Sequence, residues 1–304
     1  MAPLRGVTVA EFRLCHEKRF GGIDYAVAPF IPLVSRLKAP EKLIKDVLPE
    51  NCGRVRTVPQ VIGREPAQLT AMAEALRDAG HTELNLNCGC PWKFVAKKGR
   101  GSGLPENEAV FAAMLEAGCN AMPDGFSIKI RLGRNTSDTL TNRLDLINRF
   151  PLREVIIHPR TGIQMYGGEV DMRAFEELIH RFNAPVVYNG DINSVEDYVR
   201  LVTRFPGLPG VMIGRGLASD PFLANDIKAW EATGRGSVPT LPHSRERMSE
   251  VAEFAAELYE RYRSTLFGPS PVLGRMKELW GYLYKYFENS GRLLREVQRS
   301  SSFA

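Results

Sequence analysis

The sequence predicts a (β/α)8 TIM barrel followed by a C-terminal all-helical domain. Three observations carry that expectation. Short β-rich runs alternate with amphipathic helical runs through residue 232, polar and glycine residues gather where the β-rich runs end, and the composition changes abruptly after residue 232. In order, residues 24–28 read as a strand followed by a helical patch at 41–47. Residues 57–62 are a strand, and 66–79 a helix with Pro66 at its start and Gly80 as its stop. The pairs 83–87 and 107–117, 126–132 and 138–150, and 155–158 and 172–182 repeat the pattern, Gly118 ending the helix of the first. Residues 185–189 precede a helix at 195–205 that Ser194 can cap, and 211–214 precede one at 221–230 that Asp220 can cap. That makes seven strands. Closure needs an eighth, placed at Ala2-Pro3 with residues 9–20 as its helix, so the chain is expected to begin at the very end of the first strand. An open doubly wound sheet is the competing architecture. The run of about eight β/α units and the polar strand ends favour the barrel.

The composition shift sets the domains: a barrel over residues 1–232, a Gly/Pro/Ser linker at 233–243 and helices from 244 to 304. Helical runs at 245–265 and 272–299 are broken by Gly268-Pro269-Ser270-Pro271. The first carries an apolar stripe of Met248, Val251, Ala252, Ala255, Leu258, Tyr259 and Tyr262, the second one of Met276, Leu279, Trp280, Leu283, Tyr284 and Phe287. Such stripes describe a cap docked on the barrel with solvated charges, or a module offering basic and aromatic residues to a nucleic acid; the pattern alone favours the cap.

Composition excludes several classes. With 44% hydrophobic and 25% charged residues in 304, the chain has ample material for a core. No run of about 18 apolar residues suggests a membrane span, and the start lacks the charged and apolar regions of a signal peptide. Five cysteines, an odd number, read as reduced thiols in a cytoplasmic protein. Cys88 and Cys90 lie too close together for a zinc knuckle and no second ligand pair follows, so no metal is expected. A net charge of +5 permits a polyanionic partner without requiring one, and the chain is expected to be a monomer.

Chemistry in a barrel belongs at the C-terminal strand ends. One of them carries Asn85-Leu86-Asn87-Cys88-Gly89-Cys90-Pro91. Taken alone, these residues describe equally well a thiol for acid/base or nucleophilic work and a half-buried thiol capping a strand. Lys129 alternates with Ile128 and Ile130, so it points into the barrel, where an amine needs an anion or an electron-rich group; its own strand offers no acid. Asn189-Gly190-Asp191 and Gly214-Arg215-Gly216 end the last two strands, where glycine-rich loops hold phosphates. Gln60, Lys129 and His158 then ring a planar, hydrogen-bonding group. Flavin mononucleotide (FMN) fits, with its phosphate at the last two strands and Lys129 and His158 stabilising the anionic reduced ring. A histidine alone is more often a core residue; its companions favour function.

With these residues on one face, the chain resembles the tRNA-dihydrouridine synthases. The resemblance spans nearly the whole chain and rests on Asn87-Cys88-Gly89-Cys90-Pro91, Lys93 and Gly99-Arg100-Gly101-Ser102-Gly103, supported by Gln60, Lys129-Ile130-Arg131, His158-Pro159-Arg160-Thr161, Asn189-Gly190-Asp191-Ile192 and Met212-Ile213-Gly214-Arg215-Gly216. The Asn-Cys-Gly-Cys-Pro form is similar to the subgroup acting on tRNA position 16. The resemblance implies an FMN enzyme, reduced by NADPH, that saturates the C5–C6 bond of a uridine in tRNA. Hydride passes from flavin N5 to C6, and Cys90 protonates C5. It further implies that Asn87 and Arg160 contact the substrate. Ala2, Pro3, Leu4, Gln60, Lys129 and His158 contact the flavin ring and ribityl chain, and Asn189, Gly190, Asp191, Gly214 and Arg215 its phosphate end. The helical tail resembles the family's RNA-binding domain. Two departures stand out: Asn85 where the family has an acid, and Trp92 where smaller residues are usual. The competing readings are a flavin reductase of a small molecule, a synthase acting on rRNA, and a non-catalytic RNA-binding relative.

Overall fold

The computed structural model describes residues 1–35, 40–234, 236, 244–287 and 290–301. Its strands are β1 (Tyr25–Val27), β2 (Ile31–Pro32), β3 (Arg56–Val58), β4 (Gln60–Ile62), β5 (Leu84–Cys88), β6 (Phe126–Gly133), β7 (Val155–Thr161), β8 (Val186–Tyr188) and β9 (Gly210–Val211). Every pairing is parallel. One sheet runs β2-β4-β5-β6-β7-β8-β9, and β1 pairs with β3 beside it. The helices are α1 (Ala10–Arg19), α2 (Pro40–Leu43), α3 (Pro66–Asp78), α4 (Lys93–Ala96), α5 (Glu108–Ala121), α6 (Asp138–Asn142), α7 (Leu144–Ile147), α8 (Met172–Leu178), α9 (Val195–Arg204), α10 (Arg215–Ser219), α11 (Leu223–Ala232), α12 (Arg245–Thr265), α13 (Pro269–Leu283) and α14 (Ser290–Arg299).

The first two residues close the ring. Met1 N donates to Tyr25 O (2.7 Å) and Val27 N to Met1 O (3.1 Å), while Ala2 N donates to Ile213 O (2.8 Å). Met1 and Ala2 thus stand between β1 and the residues after β9, in the place expected for the first strand. The sheet is a closed barrel rather than an open one, and closure removes its edges. Strand alternation sorts the side chains. Ile128 and Ile130 face outward into the main core, as do Leu84, Leu86, Val155 and Ile157. A separate small cluster of Ala2, Val27, Val58, Ile156, Val187 and Met212 fills the barrel interior.

Several elements differ from expectation, four of them as follows. Residues 57–62 form two strands because Pro59 has no N–H to give the ladder. The helix expected to end at Gly118 continues to Ala121, and Gly118 serves packing: a Cβ there would lie 2.1 Å from the Phe126 ring. Residues 138–150 hold two short helices, α6 and α7. The last helical run starts earlier, with Pro269 in the first turn where a missing N–H is harmless, and divides into α13 and α14. Of the expected linker, residues 235 and 237–243 lie outside the described residues.

The C-terminal helices dock by their apolar stripes. Phe254 of α12 meets Phe12 (5.4 Å) and Phe20 (5.2 Å) edge-on. Arg19 and Lys18 of α1 bind Glu257, and Arg247 binds the buried Asp226 of α11. No described helix is long and apolar enough to cross a membrane.

The tight contact at Gly118 yields a test. Gly118→Ala must displace the buried Phe126 ring, and is expected to destabilise the protein by about 1–3 kcal/mol. Thermal unfolding of the variant checks it; an unchanged midpoint removes the packing role assigned to this glycine.

Candidate active site

A chain of buried amides sets the cysteine loop. Register places Gln60 beside Asn85, Asn85 beside Ser127 and Asn87 beside Lys129. Asn85 Nδ2 donates to Ser127 Oγ (2.8 Å), Gln60 Nε2 to Asn85 Oδ1 (2.7 Å), and Asn87 Nδ2 to Gln60 Oε1 (2.8 Å). Asn87 Oδ1 in turn accepts from Gly89 N (3.1 Å) and Cys90 N (2.8 Å). Each amide has one end committed to its neighbour, so the polarity of the chain is fixed and the loop that follows β5 is held at two backbone positions. From the other side Ser102 N donates to Cys90 O (3.0 Å). Gly101, at φ 55°, allows that approach, since a Cβ there would fall 2.8 Å from Cys90 Cβ.

The two cysteines part company here. Cys88 points outward and is buried in the main core, where burial pushes its thiol pKa up. Cys90 is half-buried and lines a cavity of about 280 Å³ at the C-terminal strand ends. Burial raises its pKa as well, against the opposing pull of a backbone hydrogen bond at Trp92 and of Arg131, Arg5 and Lys129, so the thiol is protonated at neutral pH.

The same cavity is lined by Ala2, Pro3, Leu4, Asn87, Lys129, His158, Asn189, Gly190, Gly214 and Arg215. Lys129 Nζ donates to Asn189 Oδ1 (2.6 Å), and Asn189 Nδ2 to Met212 O (2.8 Å). Burial, aided by Arg131, lowers the Lys129 pKa to about 7. His158 is held neutral by burial and by Arg131, Lys129, Arg160 and Arg215 around it. Arg160 Nη1, a group that can only donate, lies 3.2 Å from His158 Nε2, so the ring proton belongs on Nδ1.

Three residues expected in the site lie behind it. Gln60 is fully buried within the amide chain. Arg160, expected to touch substrate, is 1% exposed; it binds both carboxylate oxygens of Asp191 and the carbonyls of Gly167 and Gly168. Asp191, expected near a phosphate, spends its charge on Arg160 and on Arg215 Nη2 (2.5 Å). Their opposing charges lower its pKa despite the burial that resists ionisation. A carboxylate would repel a phosphate; here it orients the arginine that can attract one.

Further residues line the cavity without having been anticipated as contacts: Arg5, Phe30, Val95, Arg131, Tyr166 and Tyr282. The alternation that turned Lys129 inward also turns Arg131 inward, so that one was readable. Its guanidinium donates to Thr161 O (2.9 Å), and burial lowers its pKa to about 10. The guanidinium groups of Arg131 and Arg215 lie 5.4 and 4.7 Å from the centre of the Tyr166 ring. Tyr282 comes from α13, a contact no local pattern announces. Among the described residues, the lining therefore holds Arg5, Lys129, Arg131 and Arg215 and no carboxylate. A larger cavity of about 460 Å³ lies against the strand starts and carries Asp24, Glu154 and Glu231. The smaller one is the better candidate, because only it joins a thiol to excess positive charge.

A closed parallel barrel with a protonated thiol beside an anion-accepting cavity is the frame of a barrel oxidoreductase. The chain belongs to the dihydrouridine synthase (Dus) family, whose sequence profile matches residues 1–299. It is 31% identical over 266 residues to tRNA-dihydrouridine synthase B of Pseudomonas aeruginosa, covering 86% of this chain and 77% of that protein. It is 27% identical over 317 residues to tRNA-dihydrouridine(16) synthase of Salmonella typhimurium, covering 100% and 96%. Among solved structures it is similar to a mutant of morphinone reductase in complex with tetrahydroNAD (TM-score 0.53, 13% identity, 78% of this chain and 86% of that one). A variant of NCR from Zymomonas mobilis is comparable (TM-score 0.53, 10% identity, 81% and 88%). At such identities the likeness to these two concerns the barrel alone. Among the described residues no group of three or more His, Cys, Asp or Glu is placed to hold a metal ion.

The amide chain makes its own prediction. Gln60→Leu leaves Asn85 Oδ1 and Asn87 Nδ2 without partners in the interior, each worth about 1–3 kcal/mol. Lower thermal stability, together with faster alkylation of Cys90 by a small thiol reagent, is the expected outcome. Unchanged alkylation means that the chain does not hold the loop.

Proposed function

We propose that the protein is an FMN-dependent tRNA-dihydrouridine synthase that reduces the C5–C6 bond of a uridine in tRNA, with NADPH as reductant. The observation that carries this reading is the single cavity in which the Cys90 thiol faces Lys129, Arg131 and Arg215 with no carboxylate in the lining. The proposal places the protein in the cytoplasm as a monomer, with residues 1–232 as the catalytic domain and 244–304 as the RNA-binding domain.

The residues fit an FMN. Gly190 and Gly214 line the cavity as bare backbone, and a Cβ on Gly214 would already stand 3.1 Å from Ala2 Cβ. Arg215, steered by Asp191, supplies charge for the phosphate. Lys129 has one partner, Asn189, and keeps two N–H groups for an electron-rich ring edge; His158 adds Nδ1–H as a neutral donor. Ala2, Pro3 and Leu4 offer an apolar wall. When bound, the reduced flavin would supply the hydride for uracil C6.

The remaining chemistry falls to the chain. A uridine must leave its stack to enter such a cavity. Asn87, fixed by Gln60, and Arg131 are placed to bind the extruded base. Cys90 holds a proton at Sγ and delivers it to C5; its raised pKa keeps that proton in place until the neighbouring carbon becomes basic. Trp92, Tyr166 and Tyr282 add three rings to the lining.

Cys90→Ala tests the assignment. The variant should retain FMN and its reduction by NADPH, while dihydrouridine formation on tRNA falls by roughly 10²–10⁴-fold. Full activity without the thiol, or a wild-type protein that takes up no FMN, overturns the reading.

Lys129 adds a pH dependence with a defined sign. The charged amine is the form that meets an anionic group, and the ligand-free amine titrates near 7. Below about pH 7 it is already charged; above, binding must take up a proton. FMN affinity, followed by quenching of flavin fluorescence, should therefore fall above pH 7 by up to about tenfold per pH unit. Lys129→Met should bind more weakly and lose that dependence. A wild-type profile flat between about pH 7 and 9 contradicts the role.

A further inference from the structure

Two large rings stand in solvent beside the cysteine loop. Trp92 is 58% and Phe94 76% exposed, although proteins bury such rings wherever packing allows. The backbone beneath them is close-packed. Trp92 O accepts from Val95 N (3.0 Å) and Ala96 N (2.9 Å), which starts α4, and Ala96 itself is buried. A Cβ on Gly103 would come within 2.2 Å of Ala96 O. The rings are therefore displayed on a fixed loop. Trp92 also lines the active-site cavity, so the display begins at the mouth.

The charge along the segment that carries the rings has one sign. From Asn87 to Gly103 the sequence contains Lys93, Lys97, Lys98 and Arg100 and no acidic residue. The three lysines are exposed. Rings interleaved with cations suit a polyanionic strand whose bases can stack. A protein partner would instead favour a contiguous apolar centre depleted of lysine.

We propose that Trp92 and Phe94 form a stacking platform for the nucleobases that flank the reacting uridine, with Lys93, Lys97 and Lys98 on the adjoining phosphates. The inference rests on the RNA-modifying reading above and specifies how that site receives its substrate. Extruding a uridine leaves its neighbours without a stacking partner. A rigid ring at the mouth replaces the lost stack and holds the strand open in register with Cys90.

The test measures binding of an unmodified tRNA transcript to the FMN-loaded protein by fluorescence anisotropy over a range of salt. Wild type is compared with Trp92→Ala, Phe94→Ala, Trp92→Phe and a Lys97→Ala/Lys98→Ala double variant. Each ring truncation should weaken binding roughly tenfold while leaving the slope of log affinity against log salt unchanged. Trp92→Phe should recover most of the loss, and the lysine pair should reduce the slope by roughly one to two. Thermal unfolding should not change, since both rings are exposed. Ring variants with wild-type affinity overturn the platform, as does a change in sedimentation without a change in RNA binding, which would mark a protein–protein surface. A platform that binds tRNA as described in a protein that forms no dihydrouridine overturns the catalytic reading alone. Dihydrouridine formation at an unchanged KM in the ring variants overturns the platform alone.

Discussion

The parallel pairing of β5 with β6 is the constraint on which the rest of the site depends. Asn87 stands against Lys129 in that register, with Asn85 against Ser127 two residues earlier. Because side chains alternate, a slip of one residue would turn Asn87 and Lys129 out toward the helices and bring Leu86 and Ile128 in. The register is secured on both faces. Leu84, Leu86, Ile128 and Ile130 are locked into the outer core, while Asn85 and Ser127 are joined by a hydrogen bond in the interior. The cysteine loop inherits its position from this arrangement, since Asn87 holds the backbone of both Gly89 and Cys90.

Electrostatics then divides the strand ends into layers. Asp191 is withheld from the cavity and spent on Arg160 and Arg215. Arg160, fully buried, needs that partner, because a lone guanidinium would be costly in the interior. Its Nη1 also faces His158, which keeps the imidazole neutral and fixes its tautomer. What reaches the cavity is therefore Lys129 and Arg131 with no ion pair among the described residues, Arg215 already paired with Asp191, a neutral histidine and a protonated thiol. An incoming negative charge relieves the repulsion between Lys129 and Arg131 as well as making its own contacts.

Much of this was legible beforehand. The βα alternation announced the barrel, and inward alternation picked out Lys129 because Ile128 and Ile130 flank it. The same alternation turns Arg131 inward, two residues on. Other features are invisible to periodicity. Gln60 and Arg160 are polar residues at strand ends, as contact residues are, yet Gln60 serves a neighbouring amide and Arg160 serves Asp191. A sequence shows that a polar side chain faces the interior; it does not show which other buried polar group will claim it. Pro59 and Gly118 mark the opposite failures. The proline divided a strand that composition made continuous, and the glycine, an expected helix stop, proved to be the space a phenyl ring needs.

The helical tail is where local reading carries least and the fold most. Its apolar stripes foretold docking: Val251, Ala255, Leu258 and Tyr262 are buried in the main core, and Phe254, outside the expected stripe, packs edge-on against Phe12 and Phe20. Docking also delivers Tyr282 to the cavity wall and sets Arg275 and Glu278 beside Gly6, where any Cβ would collide with them. The barrel mouth is therefore completed by a residue nearly two hundred positions after the cysteine loop. A barrel working on a free small molecule has no need of such a wall. For one that must admit a single base from a large polymer, a second element at the mouth supplies a surface against which the rest of the polymer can be held. Placing Trp92 on the cysteine loop and Tyr282 on the tail puts rings on two independent supports around one opening. Under the proposed function, the docked tail therefore supplies part of the wall that an extruded base would meet.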